Sequence, residues 1–140
     1  KVVVHGDEGQ VKVNQVFEAV TTDTSTSGTI NFDANTQAVM FFTANQTADR
    51  TINFRGDSST TLNDTLAVGE SATFAIAMTQ GATAYYRPAY QSDGATVTPK
   101  WADGAAPDEG GASGIDVYSF TIIKTASATY TVLAAQSAFA

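Results

Sequence analysis

The chain has no cysteine and a single histidine in its 140 residues. Without cysteine it can form no disulfide scaffold, thiolate zinc site or iron–sulfur cluster, and it has no cysteine nucleophile. His5 lies near the amino terminus, and the sequence marks no partner with which it would form a catalytic triad or a metal site. The sequence therefore carries no catalytic signature, and we do not predict an enzyme.

Charged residues are also scarce, at 15% of the chain, and most of them are acidic. Seven Lys and Arg against 14 Asp and Glu give a net charge of −7 at pH 7. Nucleic-acid-binding proteins present clustered cations to the phosphates, and seven scattered cations do not provide such a surface. No apolar run reaches about 18 residues, the length that a membrane span requires. We expect neither nucleic acid nor a membrane as a partner.

The chain is rich in residues that favour β-structure. Thr occurs 21 times and Val 12 times, whereas Leu occurs three times. Branching at Cβ and aromatic bulk suit a pleated sheet better than a helix. Short runs of such residues recur between Gly, Asn, Asp and Ser, the spacing of a sandwich or barrel. The prediction is all-β: one antiparallel β-sandwich domain over residues 1–140, jelly-roll-like and without internal repeats.

Individual strands are predicted from alternation and from turn residues. The clearest is Ala72–Thr79, in which large apolar side chains alternate with small ones. Thr29–Phe32 and Ala38–Thr43 are expected to form a hairpin. Ala84–Gln91 is predicted as a tyrosine-rich edge strand, because Pro88 lacks a ladder donor. The other expected elements are strands at Val2–Val4, Val11–Thr21, Thr51–Phe54, Thr96–Trp101, Ile115–Lys124 and Ala128–Ala134, and a helical turn within Thr60–Leu66.

The two ends of the chain are candidate docking segments. The sequence begins with Lys1 rather than Met and shows no targeting signal, so we interpret it as a processed product or a fragment of a longer protein. The β-rich region 1–20 is a candidate docking region, in which a strand is exchanged with a neighbour. The uncharged tail Leu133–Ala140 is a second candidate.

Two neighbouring segments carry a family resemblance. Residues 98–107 read Thr-Pro-Lys-Trp-Ala-Asp-Gly-Ala-Ala-Pro, and residues 114–121 read Gly-Ile-Asp-Val-Tyr-Ser-Phe-Thr. This pattern resembles a C-terminal motif of small β-rich domains in tailed-bacteriophage structural proteins, especially tail-fibre and other virion-surface proteins of cyanobacterial and marine phages. Family members have a Gly-Gly-Thr arrangement where this chain has Ala-Asp-Gly-Ala-Ala. The resemblance extends more weakly to residues 50–57 and 69–74, and it does not cover residues 1–49.

The residues of this motif also have a structural interpretation of their own. Trp101, placed before an Asp-Gly turn, is expected to plug one end of the core. Gly104 and Pro107 shape the loop that returns the chain to the strand at Ile115. Asp116 is placed to brace that loop by accepting hydrogen bonds from backbone donors.

A tyrosine-rich cluster is the most distinctive local composition. Exposed tyrosines beside an arginine are typical of protein interfaces, and aromatic faces also stack on sugar rings. A packed edge or subunit contact and a glycan-binding surface are both open at this point. The candidate binding residues are Tyr85, Tyr86, Arg87, Tyr90 and Trp101.

Acidic loop residues are weaker candidates, for a calcium site. Oxygen-rich loops can wrap Ca²⁺, although no segment here matches the twelve-residue calcium loop. The candidate ligands are Asp103, Asp108 and Glu109, with His5–Gly9 as a second loop, and no other cofactor is expected. The tripeptide Arg55-Gly56-Asp57 matches the RGD receptor motif, and chance is the simpler explanation of so short a match.

Composition and resemblance together predict a non-enzymatic structural protein on the virion surface, either a capsid decoration or a tail-fibre domain. The expected partners are other virion proteins and copies of the same chain, and the resemblance to fibre proteins implies a trimer. One alternative is a receptor-binding module that recognises host-surface polysaccharide through the aromatic cluster. Another is the subunit of an extracellular filament.

Overall fold

The computed structural model describes residues 14–140, and this part of the chain is mostly β-sheet, as predicted. No helix within it is long and apolar enough to cross a membrane. The strand predicted at Val2–Val4 lies outside the described residues. The elements are β1 (Val20–Asp23), β2 (Ile30–Asp33), β3 (Val39–Phe42), β4 (Thr51–Arg55), α1 (Leu62–Thr65), β5 (Ser71–Thr79), β6 (Ala89–Ser92), β7 (Ala95–Thr96), β8 (Lys100–Trp101), a 3-10 turn (Ala102–Gly104), β9 (Ile115–Ala126) and β10 (Thr129–Phe139).

The strands form two sheets, and the first six strands alternate between them. Sheet A has the order β1-β3-β5-β9-β10-β8, and sheet B has the order β2-β4-β6-β7. Each odd strand from β1 to β5 therefore lies in sheet A, and the even strand that follows it lies in sheet B. Residues 20–92, which we call the wound region, make three such turns. Residues 115–139 then add a long pair of strands, which we call the C-terminal hairpin, to sheet A.

This connectivity corrects two sequence predictions. Five of the eight strand pairings within residues 14–140 are parallel, so the antiparallel, jelly-roll-like arrangement is not confirmed. The predicted hairpin is wrong because β2 and β3 lie in different sheets. A turn does follow β2, at residues 34–36. It leads the chain across the core to the other sheet rather than back along the same sheet.

The strand register in the wound region follows a short sequence repeat, so the prediction of no internal repeats is wrong. Thr29-Ile30-Asn31-Phe32 and Thr51-Ile52-Asn53-Phe54 are the same tetrapeptide, 22 residues apart. In sheet B the parallel register places Ile30 beside Ile52 and Phe32 beside Phe54. On the outer face, the Asn53 side-chain amide donates a hydrogen bond to Asn31 Oδ1 at 2.9 Å. Identical side chains therefore stack on both faces of neighbouring strands.

The core lies between the two sheets and is built around aromatic side chains. Phe54 from sheet B packs 5.8 Å from Phe74 and 5.0 Å from Phe120, both in sheet A, measured between ring centroids. Phe32 lies 4.7 Å from Phe74. All four rings are buried. Offset and edge-on ring contacts of this kind add to the free energy gained by burying their area.

The four-residue helix α1 confirms the predicted helical turn, and side chains from the β6–β7 turn and from β9 contact its two ends. Thr61 is the N-cap and accepts a hydrogen bond from the Asp64 backbone. The Asp93 carboxylate accepts from the Leu62 backbone N–H at 2.7 Å. Buried Lys124 of β9 donates to the Leu66 carbonyl at 2.7 Å. These contacts satisfy groups that so short a helix leaves unpaired.

The remaining strand predictions differ mainly in their bounds. Strands β4, β5, β9 and β10 confirm four of them. The tyrosine-rich strand is shorter than predicted, because residues 84–88 are not extended strand and β6 begins after Pro88. Residues 96–101 contain only the last residue of β7 and the two-residue strand β8, with Pro99 between them. Within the described part of Val11–Thr21, only Val20 and Thr21 belong to a strand.

Candidate functional site

Three loops stack at one end of the wound region, and two buried arginines connect them. The loops are residues 24–29, 43–50 and 80–88, each of which carries the chain from sheet A to sheet B. Arg50 in the second loop donates to Gly28 O at 2.8 Å and Ser25 O at 3.1 Å, both in the first loop. We call this arrangement the loop stack.

Arg87 repeats the pattern one loop further along. Its guanidinium donates to the Ala48 carbonyl of the second loop and, at 2.6 Å, to the Tyr86 carbonyl. Gln46 lies between the two arginines, and its Oε1 accepts from Arg50 at 3.2 Å and from Arg87 at 3.3 Å. Each arginine therefore ties its own loop to the preceding one.

Among the described residues, the one ion pair is Arg55–Asp33. Neither buried guanidinium is therefore paired with a carboxylate there. Burial lowers the pKa of Arg87 to about 10, and nearby Tyr118 acts in the opposite direction. The pKa of Arg50 is also lowered, mainly by burial, and Asp23 opposes that shift. Arg50 also stacks on the Phe42 ring, with its Cζ 4.5 Å from the ring centroid. Carbonyl oxygens and an aromatic face thus stabilise these charges in place of carboxylates.

The predicted binding residue Arg87 is thus buried, with 1% of its surface exposed, and so is Tyr90, with 5%. Tyr90 stacks edge-on to Trp101 at 5.6 Å. Desolvation raises the pKa of the Tyr90 hydroxyl, and it does the same for Tyr118 on the neighbouring sheet. Among residues 14–140, neither hydroxyl has a hydrogen-bond partner. Most of the Tyr90 ring therefore belongs to the core rather than to a ligand-binding surface.

Trp101 is half-buried and contacts the core as predicted for a plug. Its ring packs edge-on against Tyr90 and, at 6.4 Å, against Phe120. The parallel pairing of β8 with β10 positions it beside Ala134. Part of the indole remains accessible.

A groove of about 480 Å³ brings several predicted site residues together. It runs between β6 and residues 96–108, and Pro88, Pro99 and Pro107 form parts of its wall. Its lining is mainly apolar and aromatic, with one carboxylate at the edge. The predicted residues that line it are Tyr86, Arg87, Tyr90, Trp101 and Asp108. Tyr85 does not line the groove, although its backbone forms two hydrogen bonds with the Gln80 side chain.

Asp116 braces the glycine-rich loop before β9, as the sequence predicted. Its buried carboxylate accepts from the Gly111 backbone N–H at 3.0 Å and from Gln80 Nε2 at 2.9 Å. A Cβ at Gly110 would lie 2.6 Å from the Tyr85 carbonyl oxygen, so a larger residue does not fit there. This bracing fixes the loop that leads from the groove back to the core.

The calcium prediction gains no support from the described residues. Asp103, Asp108 and Glu109 are all exposed. Within residues 14–140, no three His, Asp or Glu side chains come together in a way that could hold a metal ion. The second candidate loop, His5–Gly9, lies outside the described residues.

The two charged side chains of the RGD tripeptide both contact other residues of the fold. Arg55 forms the ion pair with Asp33, and Asp57 accepts a hydrogen bond from Asn35 at 3.0 Å. Gly56 is buried, and a Cβ there would lie 2.8 Å from the Thr60 carbonyl oxygen. These contacts link the first two turns of the wound region.

Sequence reasoning missed Gln46 and Arg50, which organise the loop stack. The signal was present, because Arg50 directly precedes the second copy of the repeated tetrapeptide. Recognising the repeat would have placed the preceding loops on top of each other. The chain matches no family model, no curated protein and no solved structure.

Proposed function

We propose that the chain is a non-enzymatic structural protein of a bacteriophage virion, a capsid decoration or a tail-fibre domain at the particle surface. Its two packed sheets serve as a sandwich-type scaffold, and its activity is assembly with neighbouring virion proteins. The resemblance of residues 98–121 to phage virion domains supports the setting. The packing of Arg87 and Tyr90 inside the fold supports a structural use of the tyrosine-rich segment.

The open edges of sheet A carry the proposal. On the outer side of β1 no described strand is paired, and the residues before it are exposed, Phe17 by 88% and Val16 by 66%. At the opposite edge, β8 covers only Leu133 and Ala134 of β10, and Phe139 is 58% exposed. An unpaired strand flanked by apolar side chains can accept or donate a strand at a neighbour.

Particle composition tests this function directly. An antibody against the chain should label intact particles of the phage that encodes it, and purified particles should contain it at a fixed copy number. Phe17→Asp should lower that number, because a charge replaces the most exposed apolar side chain beside β1. Val68→Asp is the matched control, since Val68 is 61% exposed in the turn before β5. Purified particles that lack the chain, or that take up Phe17→Asp normally, would contradict the proposal.

The groove favours a second candidate function, recognition of host polysaccharide. Tyr86, Trp101 and Pro88 give it accessible apolar walls, and Asp108 adds an acceptor for sugar hydroxyls. Its volume of about 480 Å³ lies within the range of small-ligand sites. Aromatic stacking with a few polar contacts is suited to sugar rings.

Calorimetric titration of the chain with purified host polysaccharide tests the second function. Tyr86→Ala should weaken binding about tenfold, because it removes one stacking face from the groove. Tyr85→Ala is the control, as Tyr85 is similarly half-exposed but does not line the groove. No heat of binding with the wild-type chain, or equal effects of both variants, would exclude the groove as the glycan site.

A further inference from the structure

The outer face of sheet A carries no charged side chain across five strands. Inward-pointing residues of β1, β3, β5, β9 and β10 alternate with outward-pointing ones, and the pairings align the outward positions. The outward residues are Val, Ile, Phe, Leu, Ala, Thr and Ser throughout. Among them, Val20, Leu133 and Phe139 are exposed large apolar residues. Lys100, on the two-residue edge strand β8, is the first charge at the rim.

Sheet B has a different outer face, which is polar and charged. Its outward positions include the Asn31–Asn53 ladder and the Asp33–Arg55 ion pair. About a quarter of the residues of an ordinary globular domain are charged. The neutrality of sheet A's outer face is therefore a property of that face, and it matches the depletion of charge in the cores of protein interfaces.

The neutral face is large enough for a stable contact. Its five strands contain 4, 4, 9, 12 and 11 residues. With strands about 4.8 Å apart and about 3.3 Å per residue, the face covers about 600 Å². Two such faces together reach about 1,200 Å², the lower bound of stable specific interfaces.

This face has large side chains at one side and a depression at the other. Val39 and Phe41 of β3 lie beside the smaller Ala75 and Ala77 of β5, and we call this pair of large outward side chains the ridge. On the other side, β9, β10 and β8 surround a shallow depression of about 510 Å³, whose lining includes Ser119, Leu133 and the rim residue Lys100. The ridge and β10 are three strand spacings apart, about 14 Å. A two-fold axis between them places each copy's ridge against the other's depression.

We propose that the outer face of sheet A is the interface between two copies of this chain, packed face to face about a two-fold axis. Each copy carries a net charge of −7, so two copies repel each other wherever charged surfaces meet. The neutral face is where they can approach without that repulsion. The inference names the partner and the surface for the assembly role proposed above, and it rests on that role.

Sedimentation velocity of the full chain, across a wide range of concentration, tests this interface. The wild-type chain should sediment with twice the mass of one chain. Ser119→Glu should raise the dimer dissociation constant about a hundredfold or more, because it buries a carboxylate at the centre of the neutral face. Gln91→Glu is the control, since Gln91 is an outward residue of β6 on the opposite sheet. It should leave the dissociation constant unchanged.

A charge-swap experiment distinguishes a second copy from other occupants of the face. Ser119→Glu and Ser119→Lys should each be monomeric when separate and should form a dimer when mixed. Circular dichroism of each variant tests whether it is folded. If Ser119→Glu is unfolded, Thr121→Glu takes its place. A monomeric wild-type chain would overturn the proposal, and so would a dimer that Ser119→Glu leaves intact or a mixture that stays monomeric.

One further outcome separates the interface from the virion function. If the dimer behaves as expected but particles lack the chain, the virion function fails and the interface stands.

Discussion

The wound region and the C-terminal hairpin contribute neighbouring strands of sheet A by different means. Strands of the wound region pair only after the chain has crossed to the other sheet and returned, so Val20 pairs with Val39, and Val39 with Ala75. In the hairpin, β9 and β10 are consecutive and pair from Ala126 back to Ile115. One region is built from distant pairings of short strands, and the other from one long local ladder with a register shift at Thr129/Tyr130.

The difference shows what each region requires from its sequence. A local hairpin gains its register from the turn and needs no side-chain matching. The wound region has no such turn between paired strands, and it uses stacked identical residues and the arginines of the loop stack. We therefore expect substitutions at the stacked positions to affect the wound region first, unless the shared core couples both regions.

Phe54→Ala tests that coupling and should have the largest effect. The ring is fully buried between Phe32, Phe74 and Phe120, and its removal leaves a cavity where the two regions meet. We expect a loss of about 3–5 kcal/mol in the free energy of unfolding, measured by urea denaturation. Because the cavity touches both regions, fluorescence and far-UV circular dichroism should report one transition.

Val68→Ala is the control for this variant, because its exposed side chain should change stability by less than about 0.5 kcal/mol. Two separate transitions in Phe54→Ala, with the hairpin surviving the first, would show that the regions fold independently.

Arg50→Met should have the next largest effect, confined to the wound region. It removes the hydrogen bonds to Ser25, Gly28 and Gln46, so two part-buried carbonyl oxygens and the buried Gln46 Oε1 each lose a donor. A loss of about 2–3 kcal/mol is expected. Hydrogen exchange should accelerate in β2 and β4 while β9 and β10 remain protected. Equal acceleration in both regions would remove the distinction between them.

The sequence predicts individual strands of this fold better than it predicts which strands pair. The long alternating runs at 72–79 and 115–124 were predictable because each strand's period of two is visible locally. The partners of the strands in the wound region were not predictable, because turn residues do not indicate which sheet the chain enters next. For the candidate site, composition identified Tyr86 and Trp101, but it could not show that Arg87 and Tyr90 are buried.

High pH tests the two buried tyrosines, one from each region. Burial holds the pKa of Tyr90 and Tyr118 above the ordinary value of about 10, so above pH 10 only the unfolded chain loses these protons. Stability should then fall by about 1.4 kcal/mol per pH unit for each tyrosine. Arg87, whose pKa is lowered to about 10, opposes this loss by a similar amount, because the native state releases its proton first.

The net expected loss above pH 10 is therefore about 1.4 kcal/mol per pH unit. Absorbance of tyrosinate, followed in parallel with circular dichroism, measures it. Tyr90 and Tyr118 should ionise together with unfolding. Ionisation of all tyrosines before any loss of structure would contradict the burial of the core pair.

Asn53→Ala should have the smallest effect and isolates the outer ladder of the wound region. Asn53 donates to Asn31 across β2 and β4 and accepts from the Gly94 backbone at 2.9 Å. Both contacts are at the surface, so their loss should cost about 0.5–1.5 kcal/mol in urea denaturation. Thr121→Ala, on the outer face of β9, is the matched change in the hairpin and should cost less, because the ladder there needs no side-chain bridge. If Thr121→Ala costs as much as Asn53→Ala, side-chain matching is no more important in the wound region than in the hairpin.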